Sequence, residues 1–148
     1  MRISTRGVYA LEAMLALGSQ PAGERVSIRQ ISEQTGLSDS YLEQIFALLK
    51  RGGLLVSLRG NHGGYYLARP ASTITVGDIV RAAEGSLTPV NCADPSAHGC
   101  ERYRDCLSRP VWSLMEQEIA KFVGEITLED LHRKFAAWEQ DTQMDFFI

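Results

Sequence analysis

The thirty-one residues from Leu37 to Leu67, LSDSYLEQIFALLKRGGLLVSLRGNHGGYYL, leave the chain few structural options. Ser38 is a good N-cap, and Leu37 with Leu42 fits the two positions of a hydrophobic staple. Leu42, Ile45, Leu48 and Leu49 follow as an apolar stripe at helical spacing, while Ser40, Glu43, Gln44, Ala47 and Arg51 form the opposite row. Gly52 is expected to end the helix in the left-handed conformation. Leu54–Arg59 then alternates in the manner of a strand, Gly60-Asn61-His62-Gly63-Gly64 is a turn, and Tyr65–Ala68 returns as a second strand closed by Pro70. A helix that is apolar on one side and hydrogen-bonding on the other, followed by a glycine-tipped ribbon, is an arrangement for reading nucleic acid. The glycine loop is no nucleotide cradle, because it lacks both GxxxxGK[ST] and the strand-to-helix setting of GxGxxG.

The preceding segments supply what such a helix needs. Ser4 to Ser19 reads as a helix with Val8, Ala10, Leu11, Met14 and Leu15 on its buried face. Gln20–Arg25 is a Pro/Gly turn. Ser27 and Gln30 form a capping box, stapled by Val26 and Ile31, and Gly36 stops the short helix that follows. A short helix, a glycine turn and a second helix make a helix-turn-helix unit, with the second helix placed for the major groove.

A net charge of −3 conceals an uneven distribution. Residues 1–70 carry 8 Lys/Arg and 5 Asp/Glu, whereas residues 71–148 carry 7 and 13, so the halves differ as +3 and −6. Arg2, Arg6, Lys50, Arg51, Arg59 and Arg69 lie in the half with the reading helix, and a basic footprint need only be local. No apolar run approaches the roughly 20 residues of a membrane span. The start of the chain has no signal-peptide pattern, so a cytoplasmic protein is expected. Catalytic motifs are missing: there is no Cys-x-x-Cys or His-Glu-x-x-His, and His62, His98 and His132 lie far apart. An enzyme is not expected.

Beyond Pro70, Thr75 and Asp78 form another capping box, stapled by Ile74 and Ile79, for a helix ending at Gly85. Residues 86–107 show no periodicity and contain all three cysteines. Pro110 suits the first position of a longer helix. Its Trp112, Met115, Ile119, Phe122 and Ile126 recur at the spacing of a helix-pairing seam. Thr127 and Asp130, stapled by Ile126 and Leu131, open a last helix with Leu128, Leu131, Phe135 and Trp138. The reading is mainly α. It places a winged helix-turn-helix domain at 1–85, a cysteine segment at 86–108, and a long dimerisation helix with a C-terminal helix at 109–148.

MRISTRGVYALEAML, SDSYLEQIF, the GLL–SLRG–GGYYLARP stretch, TVGDIVRAAEG and ITLEDL together resemble the IscR-like family of bacterial winged-helix regulators, whose members include IscR, NsrR and CymR. The likeness covers nearly the whole chain. It implies a homodimeric regulator, acting as a repressor, on a palindromic duplex operator. Within the reading helix, Glu43 is expected to select bases, because a carboxylate accepts from the cytosine amine and is repelled by phosphates. The matching glutamate of the family lies in the DNA-reading helix, and Ser40, Tyr41 and Gln44 match neighbouring contact positions. Arg51 lies on the same polar row. Arg59 is expected in a narrow A/T-rich minor groove, with Ser57 and the amides around Gly60 on phosphates.

Cys92, Cys100 and Cys106 are three soft thiolates, suited to iron–sulfur or zinc, or else to cluster-free redox chemistry. The resemblance implies an iron–sulfur cluster, 2Fe–2S, in members that carry such a segment. A fourth ligand is not evident: the position of the IscR histidine is taken by Arg109, and that of the NsrR aspartate by Val8. His98 is the simplest candidate, with Asp94, Glu101, Asp105, Glu12 of a partner copy, or an external thiol or water as others. The terminal MDFFI is similar to the tail of CymR-type members, which regulate cysteine metabolism without a cluster. A cluster-free repressor controlled by a partner protein or by thiol oxidation is therefore the alternative.

Overall fold

A computed structural model describes residues 2–94 and 100–145, with side chains to 141. The elements in chain order are α1 (Thr5–Gly18), α2 (Ile28–Thr35), α3 (Asp39–Arg51), β1 (Leu55–Leu58), β2 (Gly64–Leu67), α4 (Val76–Glu84), α5 (Arg109–Glu125) and α6 (Leu128–Asp145). His98 and the end of the MDFFI tail lie outside the described residues.

Capping chemistry fixes most of these boundaries. Ser27 and Gln30 close a reciprocal capping box on α2, and Gly36 ends that helix in the left-handed region at φ 75°. Ser38 Oγ accepts the Tyr41 amide at the start of α3. At the other end of α3 the expectation needs correcting. Gly52 has an ordinary φ of −73°, and Gly53, at 73°, takes the left-handed position. Gly52 is small for a different reason: a Cβ there would sit 2.8 Å from that of Ala82, so α4 crosses too closely for a side chain.

One core joins these elements. Met14, Ile31, Leu42, Ile45, Phe46, Leu49, Leu54, Ile74, Ile79 and Leu128 are its largest fully buried side chains. Phe46 replaces Leu48 on the inward stripe of α3, and Leu48 is half-buried. The inward face of α1 is Gly7, Ala10, Ala13, Met14 and Leu17. Val8 is 50% exposed, and Leu11 and Leu15 are half-buried. The inward face thus combines small residues, which permit the close packing of α1 on α4, with the larger Met14 and Leu17, while Val8 is left at the rim.

The wing is an antiparallel ribbon in which Leu55 pairs with Leu67 and Leu58 with Gly64. Val26, just before α2, forms an isolated antiparallel bridge to the ribbon through two backbone bonds with Tyr65.

On the far side of the domain α5 begins at Arg109, one residue before Pro110, and ends at Glu125. Ile126 is therefore an extended residue at the turn rather than a member of the helical seam. Val111, Leu114, Met115 and Phe122 are exposed along α5, which buries no residue fully. α6 returns to the core: Leu128 is fully buried, and His132 Nε2 lies 2.9 Å from the Leu15 carbonyl. Gly18 permits this approach, because a Cβ there would lie 2.6 Å from Leu128 Cδ2. No helix among the described residues is long and apolar enough to cross a membrane.

Candidate nucleic-acid interface and cysteine segment

Burying Leu42, Ile45, Phe46 and Leu49 fixes the rotation of α3 about its axis. Ser40, Glu43, Gln44, Ala47 and Arg51 consequently form an exposed row. Tyr41 is half-buried and meets the ring of Tyr9 edge to face at 5.7 Å between centroids. It packs partly on α1 rather than standing free beside Ser40. Among the described residues Glu43 takes part in no ion pair, which leaves its carboxylate available to an amine donor.

The wing stands beside the end of α3. Lys50 Nζ donates to Ser57 Oγ at 2.6 Å, so the last turn of the helix is tied to the first wing strand. In the sequence Lys50 is one basic residue among several; its bond to Ser57 becomes evident once helix and strand are placed side by side. Arg59 is exposed just beyond β1, and Gly60 follows with φ 107°, which favours glycine. Ser40, Glu43, Gln44, Arg51, Arg59 and Gly60 are all exposed, with Ser57 half-buried between them.

The cysteine segment leaves α4 at Gly85. Cys92 lies in a short 3-10 turn (Asn91–Ala93), Cys100 is exposed, and Cys106 is half-buried just before α5. Cys106 Sγ lies 3.4 Å from Ser108 Oγ. That hydroxyl contact, with the Ser108 amide and Arg102 nearby, draws the thiol below its ordinary pKa. Arg109 is committed elsewhere: its guanidinium lies 3.9 Å from the Tyr103 ring centroid and donates to the Tyr103 carbonyl. Among the described residues, no three Cys, His, Asp or Glu side chains converge as a metal site. Three soft thiols suit a cluster in donor chemistry, but their ligating arrangement is not assembled here.

The entry to this segment touches α1. Glu84, the last residue of α4, accepts from the amides of Ser4 and Gly7 and from the Ser4 hydroxyl. Beside it, Ile3, Val8 and Leu11 of the α1 region, Val80 of α4, and Ile119 and Phe122 of α5 line an open apolar groove.

A winged helix-turn-helix with its polar row outward is the architecture of a DNA-binding regulator, and sequence comparison carries the assignment further. The profile described as "Rrf2: Iron-dependent Transcriptional regulator" matches residues 3–134. The chain belongs to the Rrf2 family. It is 37% identical over 131 residues to the HTH-type transcriptional regulator IscR of Yersinia pseudotuberculosis, a match covering 88% of this chain and 79% of that one. Among solved structures it resembles CymR, the global cysteine regulator of B. subtilis, with TM-score 0.70 and 34% identity, over 88% of this chain and 95% of that one. T. potens IscR is similar with TM-score 0.69 and 34% identity, over 90% and 88%. Like these relatives, this Rrf2 protein is a transcription regulator and not an enzyme.

Proposed function

We propose that this Rrf2 regulator acts as a homodimeric repressor that reads a palindromic operator with α3 and the wing and answers to iron–sulfur status through Cys92, Cys100 and Cys106. The observation that supports it best is the exposed row Ser40, Glu43, Gln44 and Arg51, held outward by a fully packed opposite face. In this reading Glu43 accepts from a cytosine amine in the major groove, Ser40, Tyr41 and Gln44 contact neighbouring positions, and Arg51 approaches phosphate. Arg59 enters the minor groove, while Ser57, joined to Lys50, and the Gly60 amide meet the backbone. A second copy, bringing its own α3, matches a two-fold operator with half-sites one helical turn apart or a multiple. The apolar row of α5 supplies its contact surface.

A 2Fe–2S cluster would take Cys92, Cys100 and Cys106 as protein ligands, with His98 or an external group as the fourth, and would supply a redox- and nitric-oxide-sensitive centre. Ligation would hold Cys92, Cys100 and Cys106 at fixed separations and, through Glu84 and α1, would bias the spacing of the two reading helices. The alternative is a cluster-free repressor answering to thiol oxidation or a partner protein. It is favoured by the likeness to CymR, the global cysteine regulator of B. subtilis.

Two measurements test the reading. Glu43→Ala should cut the preference for the selected operator over random duplex by roughly five- to hundredfold, with a smaller effect on random DNA; equal loss on both refutes base reading. Anaerobically purified protein should show charge-transfer absorption with stoichiometric iron and sulfide. A colourless, iron-free protein transfers the sensing role to the cluster-free alternative.

A further inference from the structure

We propose that Arg25, in the connection between α1 and α2, is a positioning residue for DNA selection: it holds the wing tip in place so that Arg59 meets the minor groove in register. The inference rests on the reading of Arg59 given above.

Three observations carry it. First, the tip is a turn closed by the Gly63 amide on the Gly60 carbonyl at 2.9 Å, with Asn61 and His62 at its corners. Neither corner residue has positive φ. The turn is of an unprimed type inside a five-residue connection, and because the strand ladder ends at the Leu58–Gly64 pair, the tip lies beyond the ladder's own hydrogen bonds. Second, the Arg25 guanidinium donates from Nη1 to the His62 carbonyl at 2.8 Å, an anchor arriving from outside the ribbon. Third, the segment carrying Arg25 is itself fixed. Val26 is buried and exchanges backbone bonds of 2.9 and 2.8 Å with Tyr65. Gly64 lets that segment come close, since a Cβ there would stand 3.0 Å from the Val26 carbonyl oxygen.

Arg25 is exposed, and no carboxylate among the described residues pairs with it. Its one described side-chain bond goes to His62, three residues beyond Arg59 in the turn that begins at Gly60. A guanidinium presents several donors in a fixed fork, whereas an ammonium is a point charge on a flexible stem. The geometry of Arg25 therefore matters as well as its charge.

The test uses the full-length protein and an operator selected from a random duplex pool, with a second duplex in which the A/T step under the wing is changed to G/C. Arg25→Ala, Arg25→Lys, Arg59→Ala and the Arg25→Ala/Arg59→Ala double variant are titrated on both duplexes, with thermal midpoints measured alongside. The expected result is an unchanged midpoint and a loss of about five- to tenfold on the operator for Arg25→Ala. Arg25→Lys should restore less than half of that loss in free energy. Discrimination between the two duplexes should fall in parallel, and Arg25→Ala should add less than about twofold once Arg59 is already Ala. Losses that multiply in the double variant, or full rescue by Lys, make Arg25 an independent surface cation and overturn the proposal. If Arg59→Ala weakens binding and Arg25→Ala does not, the positioning role alone falls. If Arg59→Ala has no effect, the minor-groove reading falls and the positioning role with it.

Discussion

Thr75 and Thr127 face each other across an isolated antiparallel bridge, each the N-cap of a helix that leaves it. Val76 donates to the Ile126 carbonyl and Leu128 to that of Ile74, both at 2.9 Å. The flanking sequences repeat the pattern: Ile74-Thr75-x-x-Asp78 opposes Ile126-Thr127-x-x-Asp130, and each aspartate accepts its threonine's amide. Asp78 also takes Arg69, from the end of the wing, at 2.7 Å. The start of the sixth helix is thereby stitched to the winged domain, and both are tied to the strand that leaves the wing.

That stitch predicts a single unfolding transition for residues on both sides of the cysteine segment. Thr127→Ala should cost about 1 kcal/mol through its lost cap. Leu128→Ala should cost about 2–5 kcal/mol as a fully buried leucine. In a Trp112→Phe background, which leaves Trp138 as the single tryptophan, denaturant titrations followed by fluorescence and by far-UV circular dichroism should coincide with and without either substitution. Separate transitions would mean that α6 unfolds independently.

Asp130 gives the stitch a pH dependence. The Thr127 amide, its hydroxyl and Arg133 hold the carboxyl below the ordinary aspartate value. A depressed folded pKa stabilises the fold above the unfolded pKa, and the contribution disappears as pH falls through the folded value. Thermal midpoints measured downward from pH 5 should therefore drop on acidification, and Asp130→Asn should show a shallower drop.

Arg59→Ala should weaken operator binding and reduce the slope of log affinity against log salt by about 1, since one cation leaves the DNA contact. An unchanged slope with reduced affinity would assign Arg59 to shaping the wing instead.

Phe122, 65% exposed beside the groove formed by Val8, Leu11 and Val80, should be covered by the partner copy. Phe122→Glu should convert the dimer into a monomer in sedimentation velocity and abolish tight binding to a two-fold operator while leaving a half-site duplex weakly bound. The thermal midpoint of the monomer should stay near that of the wild type at low protein concentration, because the side chain contributes little to its own core.

Local chemistry made the helix boundaries readable. Ser27, Ser38, Thr75 and Thr127 cap where hydroxyls at those positions should, because a side-chain oxygen within reach of orphan amides satisfies them whatever lies further away. The reading face of α3 was legible for a related reason, since helical periodicity alone puts Glu43 opposite Ile45 and Leu49. Periodicity was less informative about α1. It could not distinguish Val8, exposed at the rim, from Ala13, fully buried, because that choice depends on how closely another helix crosses.

The sequence by itself determined the order of elements, the caps, the two-sided reading helix and the glycine-tipped ribbon, all of which are set within a few residues along the chain. Tertiary structure alone decided that Arg25 reaches the wing tip, that Lys50 holds Ser57, that Glu84 caps α1 and that Thr75 meets Thr127. Those partners lie 37, 7, 77 and 52 positions apart in a chain whose packing brings them together. Their pairing depends on how the buried faces fit against one another, which no local spacing encodes.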